Sequence, residues 1–451
     1  VSGSAPSFRF PHPLTLLVGC ILLAAALTWV LPAGQFERRE DTATGRSVVV
    51  PGTYTRVEPQ PVGPFQALVG IPRGMADAAG VVFYVFLVGA AFTVVERTGA
   101  LGQLVNWLVA RLAGRGLLVI PVAGLAFGLG GTFIQMQEEL IAFVPVLLLL
   151  TRRLGFSPLI AVAMSMGASA IGASFSFINP FQVGIAQKVA QLPLLSGWQF
   201  RLGFLIPAWG LWIAGTMLYA RRTRTAPAPA SAAPPAGQAG WRQTAVLLIV
   251  LGAFAAFMVG VLKYGWDFDQ LAAVFFIMGV VAGLVGGLRI SGTVDGLVDG
   301  FRGIAFAALL IGFARGIYIV LDEGRVVDTI VNGLFSPVAG LPTTVAALGM
   351  MVVHSIVHVP VPSTSGQAVL TLPLLVPLSD LIGLSRQVTV LAYQYGAGLC
   401  EVLAPTNGAL MAMLAAAGVR FEEWLRFAVP IFGVLFVLAA VGIATAVAVG
   451  V

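Results

Sequence analysis

Charge is what this chain of 451 residues has least of: Asp, Glu, Lys and Arg together make up 10% of it, against 58% apolar residues. A soluble domain normally carries about a quarter charged residues, so a water-facing surface cannot be built from this composition. Cysteine is nearly absent. Cys20 and Cys400 both lie in apolar runs, which excludes a disulfide framework and a cysteine-based metal site. No P-loop, nucleophile elbow, haem motif or zinc signature is present. ATP-driven transport by this chain alone is therefore not expected, nor is enzymatic activity, and no cofactor is implied.

What the chain has is apolar length, with a mean hydropathy of +0.95. Residues 14–30, 81–95, 202–219, 245–262 and 427–451 carry no internal charge. They approach or exceed the roughly 20 residues a helix needs to cross a bilayer. About ten to twelve crossings or re-entrant segments follow by this criterion. The first stretch is as long as a full span and lacks an A-x-A cleavage site, so it reads as a helix rather than a signal peptide. The net charge of +6 reads as orientation by cationic loops, not as a nucleic-acid surface, since no basic patch with interleaved aromatics appears. Arg221, Arg222, Arg224 and Arg242 bracket one long polar segment, and Arg9 precedes the first span; both places read as cytoplasmic. The mixed charges of residues 36–64 suit the outer side. Trp and Tyr residues read as interfacial anchors.

The low-complexity segment 226–240 (APAPASAAPPAGQAG) cuts the chain nearly in half, the place to look for an internal repeat. An offset of 228 residues aligns Glu139 with Gln367, Pro145 with Pro373, Gly155 with Gly383, Ser157 with Ser385 and Asn179 with Asn407. Each half then holds an amphipathic stretch (101–115 or 326–339), a helix–polar tip–helix hairpin (117–150 or 342–378) and a broken apolar helix (158–190 or 386–418). The arms of the hairpins are short for independent spans, which favours re-entry. The expected organisation is an N-terminal helix and extracytoplasmic loop (1–80), a first repeat (81–222), a cytoplasmic linker (223–242), scaffold helices (243–300) and a second repeat (301–451). That the two repeats are inverted is an analogy with transporter architecture.

Broken backbone inside a bilayer is tolerated only where it is buried in protein or lines a polar cavity, so the breaks are the candidate site. The first tip carries Gln135, Gln137, Glu138 and Glu139; the second carries Ser363, Thr364, Ser365, Gly366 and Gln367. The helix breaks contain Asn179-Pro180 and Pro405-Thr406-Asn407. Hydroxyls, amides and freed carbonyls suit a cation, and helix N-termini suit a carboxylate. We assign Asn179, Pro180, Ser363, Thr364, Ser365, Thr406 and Asn407 to substrate, and Gln135, Gln137, Glu138, Glu139, Gly366 and Glu401 to the coupling ion or gating. The only metal this allows is Na⁺ as a coupling ion. Adjacent helical residues point about 100° apart, so at most one of Glu138 and Glu139 is expected to face the site. Glu401 and Lys188 either meet a charged substrate or neutralise structural partners. His354 and His358 share a helix face, but Ser355 stands where a zinc helix needs Glu. The pair reads as packed, hydrogen-bonded histidines near the membrane surface, with a proton relay as the alternative. The charges of Arg315, Asp322, Glu323 and Arg325 read as a helix end.

The strings Asn179-Pro180-Phe181-x-Val183-Gly184-Ile185-Ala186-Gln187, Ser363-Thr364-Ser365-Gly366-Gln367-Ala368-Val369-Leu370 and Ala404-Pro405-Thr406-Asn407-Gly408 together resemble the YfcC family, within the C4-dicarboxylate anaerobic carrier group of the ion transporter superfamily. The likeness runs from Phe65 to the C-terminus. It implies an all-α polytopic protein of the bacterial cytoplasmic (inner) membrane, paired as a homodimer, in which a transport domain moves against a scaffold as an elevator. Relatives often show G-D-G where Gly396-Ala397-Gly398 stands and T-S-G where Thr406-Asn407-Gly408 stands. The expected function is secondary active transport of a small organic anion, of the carboxylate or C4-dicarboxylate class, coupled to Na⁺ or H⁺. The alternative within the same fold is an amino-acid or peptide transporter or exchanger, of arginine/ornithine type. A channel would need a continuous polar path, and an intramembrane enzyme an aligned catalytic set; neither is apparent.

Overall fold

The computed structural model describes residues 13–41, 46–104, 115–225, 240–264, 266, 268–337 and 341–451. The chain opens with α1 (Pro13–Val30), a helix without a charged residue. Two small antiparallel ladders follow, β1 (Gly34–Gln35) with β4 (Thr55–Arg56) and β2 (Arg38–Asp41) with β3 (Arg46–Val49). The protein is all-helical as expected apart from these short ladders, in which a polar segment outside the helices satisfies its backbone groups by pairing with itself. Then come α2 (Pro64–Asp77), α3 (Ala79–Arg97), α4 (Val119–Ile134) and α5 (Val144–Leu154). The first broken helix runs as α6 (Pro158–Ser174), with one π turn inside it, and resumes through a π turn into α7 (Ile185–Val189). A long helix α8 (Trp198–Arg222) closes the first half.

The second half begins with α9 (Trp241–Tyr264), α10 (Phe268–Val285) and the 35-residue α11 (Arg289–Glu323). After α12 (Val327–Phe335) come the arms α13 (Thr343–Val357) and α14 (Thr364–Leu381), the broken helix α15 (Arg386–Cys400) and α16 (Gly408–Ala417), and α17 (Phe421–Val449). Among the described residues, six helical segments are long and apolar enough to cross a membrane, and five shorter apolar ones accompany them. This is an integral, multi-pass membrane protein. Residues 226–239 of the low-complexity segment and 105–114 of the first amphipathic stretch lie outside the described residues. Its counterpart at 326–339 contains α12, whose Asp328 is buried and accepts from Arg38 Nη2 at 2.9 Å and Phe36 N at 3.0 Å, fastening the β segment to the helices.

Helix α11 is the spine of one group of helices, packed against α1, α2, α3 and α10, and it meets the second group at α16. Its approach to α2 depends on glycine: a Cβ on Gly74 would collide with the backbone of Gly312 and Gly316, the close-packing role small residues take in membrane helices. The hairpins and broken helices form the other group, with α4 against α6, α13 against α15, and α6 against α15. Trp212 and Trp424 correct the interfacial reading of the aromatics. Both are fully buried, and their indole N–H groups donate to the carbonyls of Ala163 (2.8 Å) and Val402 (2.7 Å). A buried indole needs such a partner, and helix breaks and bulges supply free carbonyls.

Candidate functional site

The four breaks in the helical backbone lie near one another. In the first hairpin, α4 stops at Gln135, whose φ of +52° turns the chain into the left-handed region. An irregular step through Met136 and Gln137 follows, then a 3₁₀ turn, Glu138–Phe143. In the second hairpin, α14 restarts at Thr364, capped by Ser363, whose Oγ accepts from Gly366 N at 3.2 Å. In the broken helices, Asn179 Oδ1 accepts from Phe181 N (2.9 Å) and Gln182 N (3.0 Å), and Asn407 Oδ1 accepts from Leu410 N (3.1 Å). Ser and Asn serve here because a short side-chain oxygen can take the N–H groups left open at a helix start.

A cavity of about 480 Å³ opens where these pieces meet helices α2, α10 and α11. Of the residues assigned to substrate, it brings together Ser363, Thr364, Ser365, Thr406 and Asn407 on its wall. Of those assigned to ion or gating, Gln135, Gln137, Glu138, Glu139 and Glu401 join them. Three assigned residues stand elsewhere. Asn179 is fully buried behind the wall, with Nδ2 donating to Gly131 O at 3.0 Å. Pro180 begins the π turn beside it, and Gly366 spends its N–H on the Ser363 cap. Lys188 lies exposed on α7, away from the cavity.

Both Glu138 and Glu139 border the cavity, against the expectation that only one would. That expectation assumed a continuous α-helix. The two are the first residues of a 3₁₀ turn after an irregular tip, and the cavity wraps around that tip. Glu139 Oε2 bends back to accept from Gln137 N at 3.0 Å. Across the two tips, Gln135 Nε2 donates to Thr364 Oγ1 at 2.6 Å. Asn407 Nδ2 donates to Glu401 Oε2 and lies 3.4 Å from Gln137 Oε1. Among the described residues, two polar atoms on side chains of this wall, Gln135 Oε1 and Thr406 Oγ1, are buried without a hydrogen-bond partner.

Asp77 went unremarked along the sequence and Arg315 read only as part of a charged helix end; both border the cavity, from α2 and α11. They form an ion pair through Arg315 Nε, and the Arg315 guanidinium lies 4.8 Å from the centre of the Tyr318 ring. Neither stands in a helix break, so nothing local marks them for the cavity. Of the two acids at the end of α11, Asp322 and Glu323, the latter pairs with Arg73. His354 and His358 are fully buried beside the second tip, and both bond to Gln367 rather than to each other. Among the described residues no cluster of three or more His, Cys, Asp or Glu side chains is arranged to hold a metal.

Two solved transporters align with the full chain at low similarity. The Alcanivorax borkumensis YdaH transporter covers 98% of this chain and 99% of its own at 18% identity and a TM-score of 0.46. Neisseria gonorrhoeae MtrF, described with a class of antimetabolite efflux pumps, covers 97% and 96% at 15% identity and a TM-score of 0.41. At these values neither bears on the argument. Sequence relatives are nearer. An Escherichia coli K12 protein named "Putative basic amino acid antiporter YfcC" is 32% identical over 98% of this chain and 97% of its own length. A Haemophilus influenzae protein of unassigned function is 27% identical over the same shares. The family described as C4-dicarboxylate anaerobic carrier, DcuC, matches residues 10–448. With that match spanning the chain and its YfcC relative aligned end to end, the protein belongs to the C4-dicarboxylate anaerobic carrier family, as a membrane transporter of the YfcC kind.

Proposed function

We propose that this transporter carries an amino acid with a cationic side chain, and that the 480 Å³ cavity is where it binds. One observation carries the reading: Glu138, Glu139, Glu401 and Asp77 line the cavity against a single guanidinium, Arg315, already paired with Asp77. A cation entering there replaces water with carboxylates, whereas a dianion would have to be neutralised on arrival by protons or metal cations. The start of α14 at Ser363 and Thr364, and the start of α16 at Asn407 and Gly408, border the same space. Their positive dipole ends suit the carboxylate that every amino acid carries. The zwitterionic end and the cationic side chain thus each have a matching wall. The name of the Escherichia coli relative agrees with this class.

In this reading the helices around α11 form the static frame, and the hairpins with the broken helices are the moving part that carries the cavity across. The organic-anion reading survives through the helix starts alone, and would require the acids to be occupied by Na⁺ or H⁺ before the anion binds.

The test is a thermal-shift screen of the purified protein with arginine, ornithine and lysine against succinate and fumarate, each with and without Na⁺. A ligand that binds only the folded state stabilises it by about 2.7 kcal/mol at a hundred times its dissociation constant. Stabilisation by the basic amino acids without any need for Na⁺ is the expected result. Stabilisation by a dicarboxylate that requires Na⁺ would overturn the reading.

A further inference from the structure

Behind the cavity wall lies a buried chain of polar groups whose hydrogen atoms can be counted. Gln367 is fully buried on α14. Its Nε2 lies 2.8 Å from the His354 carbonyl oxygen and 3.0 Å from His354 Nδ1. The reverse amide orientation would set two carbonyl oxygens face to face, so Nε2 must be the atom that donates there. Gln367 Oε1 therefore faces His358 Nδ1, at 3.1 Å, and, as an acceptor, requires that nitrogen to carry hydrogen. His354 Nδ1, taking the amide hydrogen, is left bare, and that ring keeps its proton on Nε2.

With Nδ1 protonated, a neutral His358 presents a lone pair at Nε2. That nitrogen is buried, makes no geometrically satisfactory hydrogen bond, and lies 3.4 Å from Glu401 Oε1. An ionised carboxylate is acceptor-only, so two acceptors confront each other in a site without water access on the His358 side. One added proton resolves the confrontation, either as a carboxylic acid donating to Nε2 or as an imidazolium donating to the carboxylate. Glu401 Oε2 is held from its other side by Asn407 Nδ2. The carboxylate is thus clamped between an obligate donor and a ring that must share a proton with it.

We infer that His358 and Glu401 together bind one exchangeable proton at the cavity wall, and that this proton is the coupling ion exchanged against the solute. It arrives from the cavity, which Glu401 borders, and leaves by the same route. On leaving, it exposes one further negative charge to the cavity. The titratable groups facing the pair are Glu138, within electrostatic reach of Glu401, Glu139 beside it on the first tip, and the Asp77–Arg315 pair across the cavity. On the far side stand His354, one helical turn away on α13, and the buried Cys400 thiol next to Glu401. Proton and cationic solute compete for the same carboxylate, which is the thermodynamic requirement for exchange. The coupling half of the inference rests on the cavity being the transport site; the proton site itself rests only on the atoms named.

Glu401→Gln is the natural probe, because the amide can donate to His358 Nε2 and still accept from Asn407, satisfying every partner without a titrating proton. Infrared difference spectra of the purified protein are recorded as the pH is stepped across the whole range in which the protein stays folded. The expected result is a carboxylic-acid or imidazolium signature that titrates in the wild type, vanishes in Glu401→Gln and moves to a different pH in His358→Gln. A wild-type spectrum with no Glu401-dependent titration overturns the proton site, whatever the substrate. In proteoliposomes, a pH gradient should drive accumulation of the basic amino acid by the wild type and fail to do so in Glu401→Gln. Accumulation by the variant equal to wild type overturns the coupling role. If no basic amino acid binds the wild type, the substrate reading fails, and the infrared titration still decides the proton site. If His358→Gln does not fold, thermal unfolding of Glu401→Gln confirms that the deciding variant does.

Discussion

Asn179 and Asn407, 228 positions apart, do the same local work: each caps the second piece of a broken helix with its side-chain oxygen. Their amide nitrogens then diverge. Asn179 donates to the backbone of Gly131 within its own half, whereas Asn407 reaches Glu401 and the first hairpin tip at Gln137. One is a brace behind the wall and the other is part of the wall.

Replacing the two asparagines with alanine should separate these roles. Asn179→Ala loses a cap and leaves a buried carbonyl short of a donor, a cost of about 1–2 kcal/mol. Asn407→Ala loses the same cap and also releases Glu401, so it should weaken the ligand-induced thermal shift as well as stability. Unfolding in detergent, with and without ligand, reads both. A ligand shift lost equally in the two variants would contradict the assignment.

Asp77 holds Arg315 at the edge of the cavity. Asp77→Asn should leave that guanidinium to repel a cationic solute and weaken binding several-fold, within the range expected of a half-exposed pair. Adding Arg315→Gln should restore much of the loss, because the repulsion goes with it. Binding of arginine measured on the single and double variants completes the cycle. Tighter binding in Asp77→Asn would indicate an anionic solute.

The Gln135–Thr364 hydrogen bond joins the two hairpin tips across the cavity. Thr364→Val removes the acceptor with little change in volume and should speed solute release, since a neutral hydrogen bond contributes about 1 kcal/mol, or a few-fold in rate. Gln135→Gly should behave similarly, because glycine tolerates the positive φ that this position requires. Gln135→Ala should be worse than glycine, for the backbone reason alone. Dissociation rates of labelled solute distinguish the three.

Arg201 is a buried guanidinium held by neutral groups. It donates from Nε to Gln394 Oε1 (3.0 Å), from Nη2 to Gln387 Oε1 (3.0 Å) and from Nη1 to Ser196 O (2.8 Å), tying α8 to α15. Arg201→Met should strand these acceptors and destabilise the protein by about 3 kcal/mol or more. Arg201→Lys should rescue little of this, because an ammonium cannot reproduce the planar fork. Thermal unfolding of both variants provides the measurement.

Much of the candidate site was legible along the chain. Glycine, proline and short polar side chains inside apolar runs mark breaks through their own backbone preferences, and the 228-residue offset picked out the paired caps. Adjacent position gave the wrong answer for Glu138 and Glu139, because it presumed helical geometry at a tip where the helix stops. Asp77 had no local mark, and the charges around Arg315 marked only a helix end. They sit in helices whose role at the cavity comes from what they pack against.

Composition alone settled that the chain lies in a membrane, since 10% charged residues cannot solvate a surface. Local pattern settled where the helices break. Which breaks meet, and which intact helices face them, was decided only by tertiary packing: Gln135 with Thr364 and His358 with Glu401 at the breaks, and Asp77 with Arg315 opposite them, are each brought together across distant stretches of sequence. The physical reason is that a break is a property of a few successive dihedrals. A contact between breaks depends on the crossing angles and separations of whole helices, and those follow from how their side chains interlock.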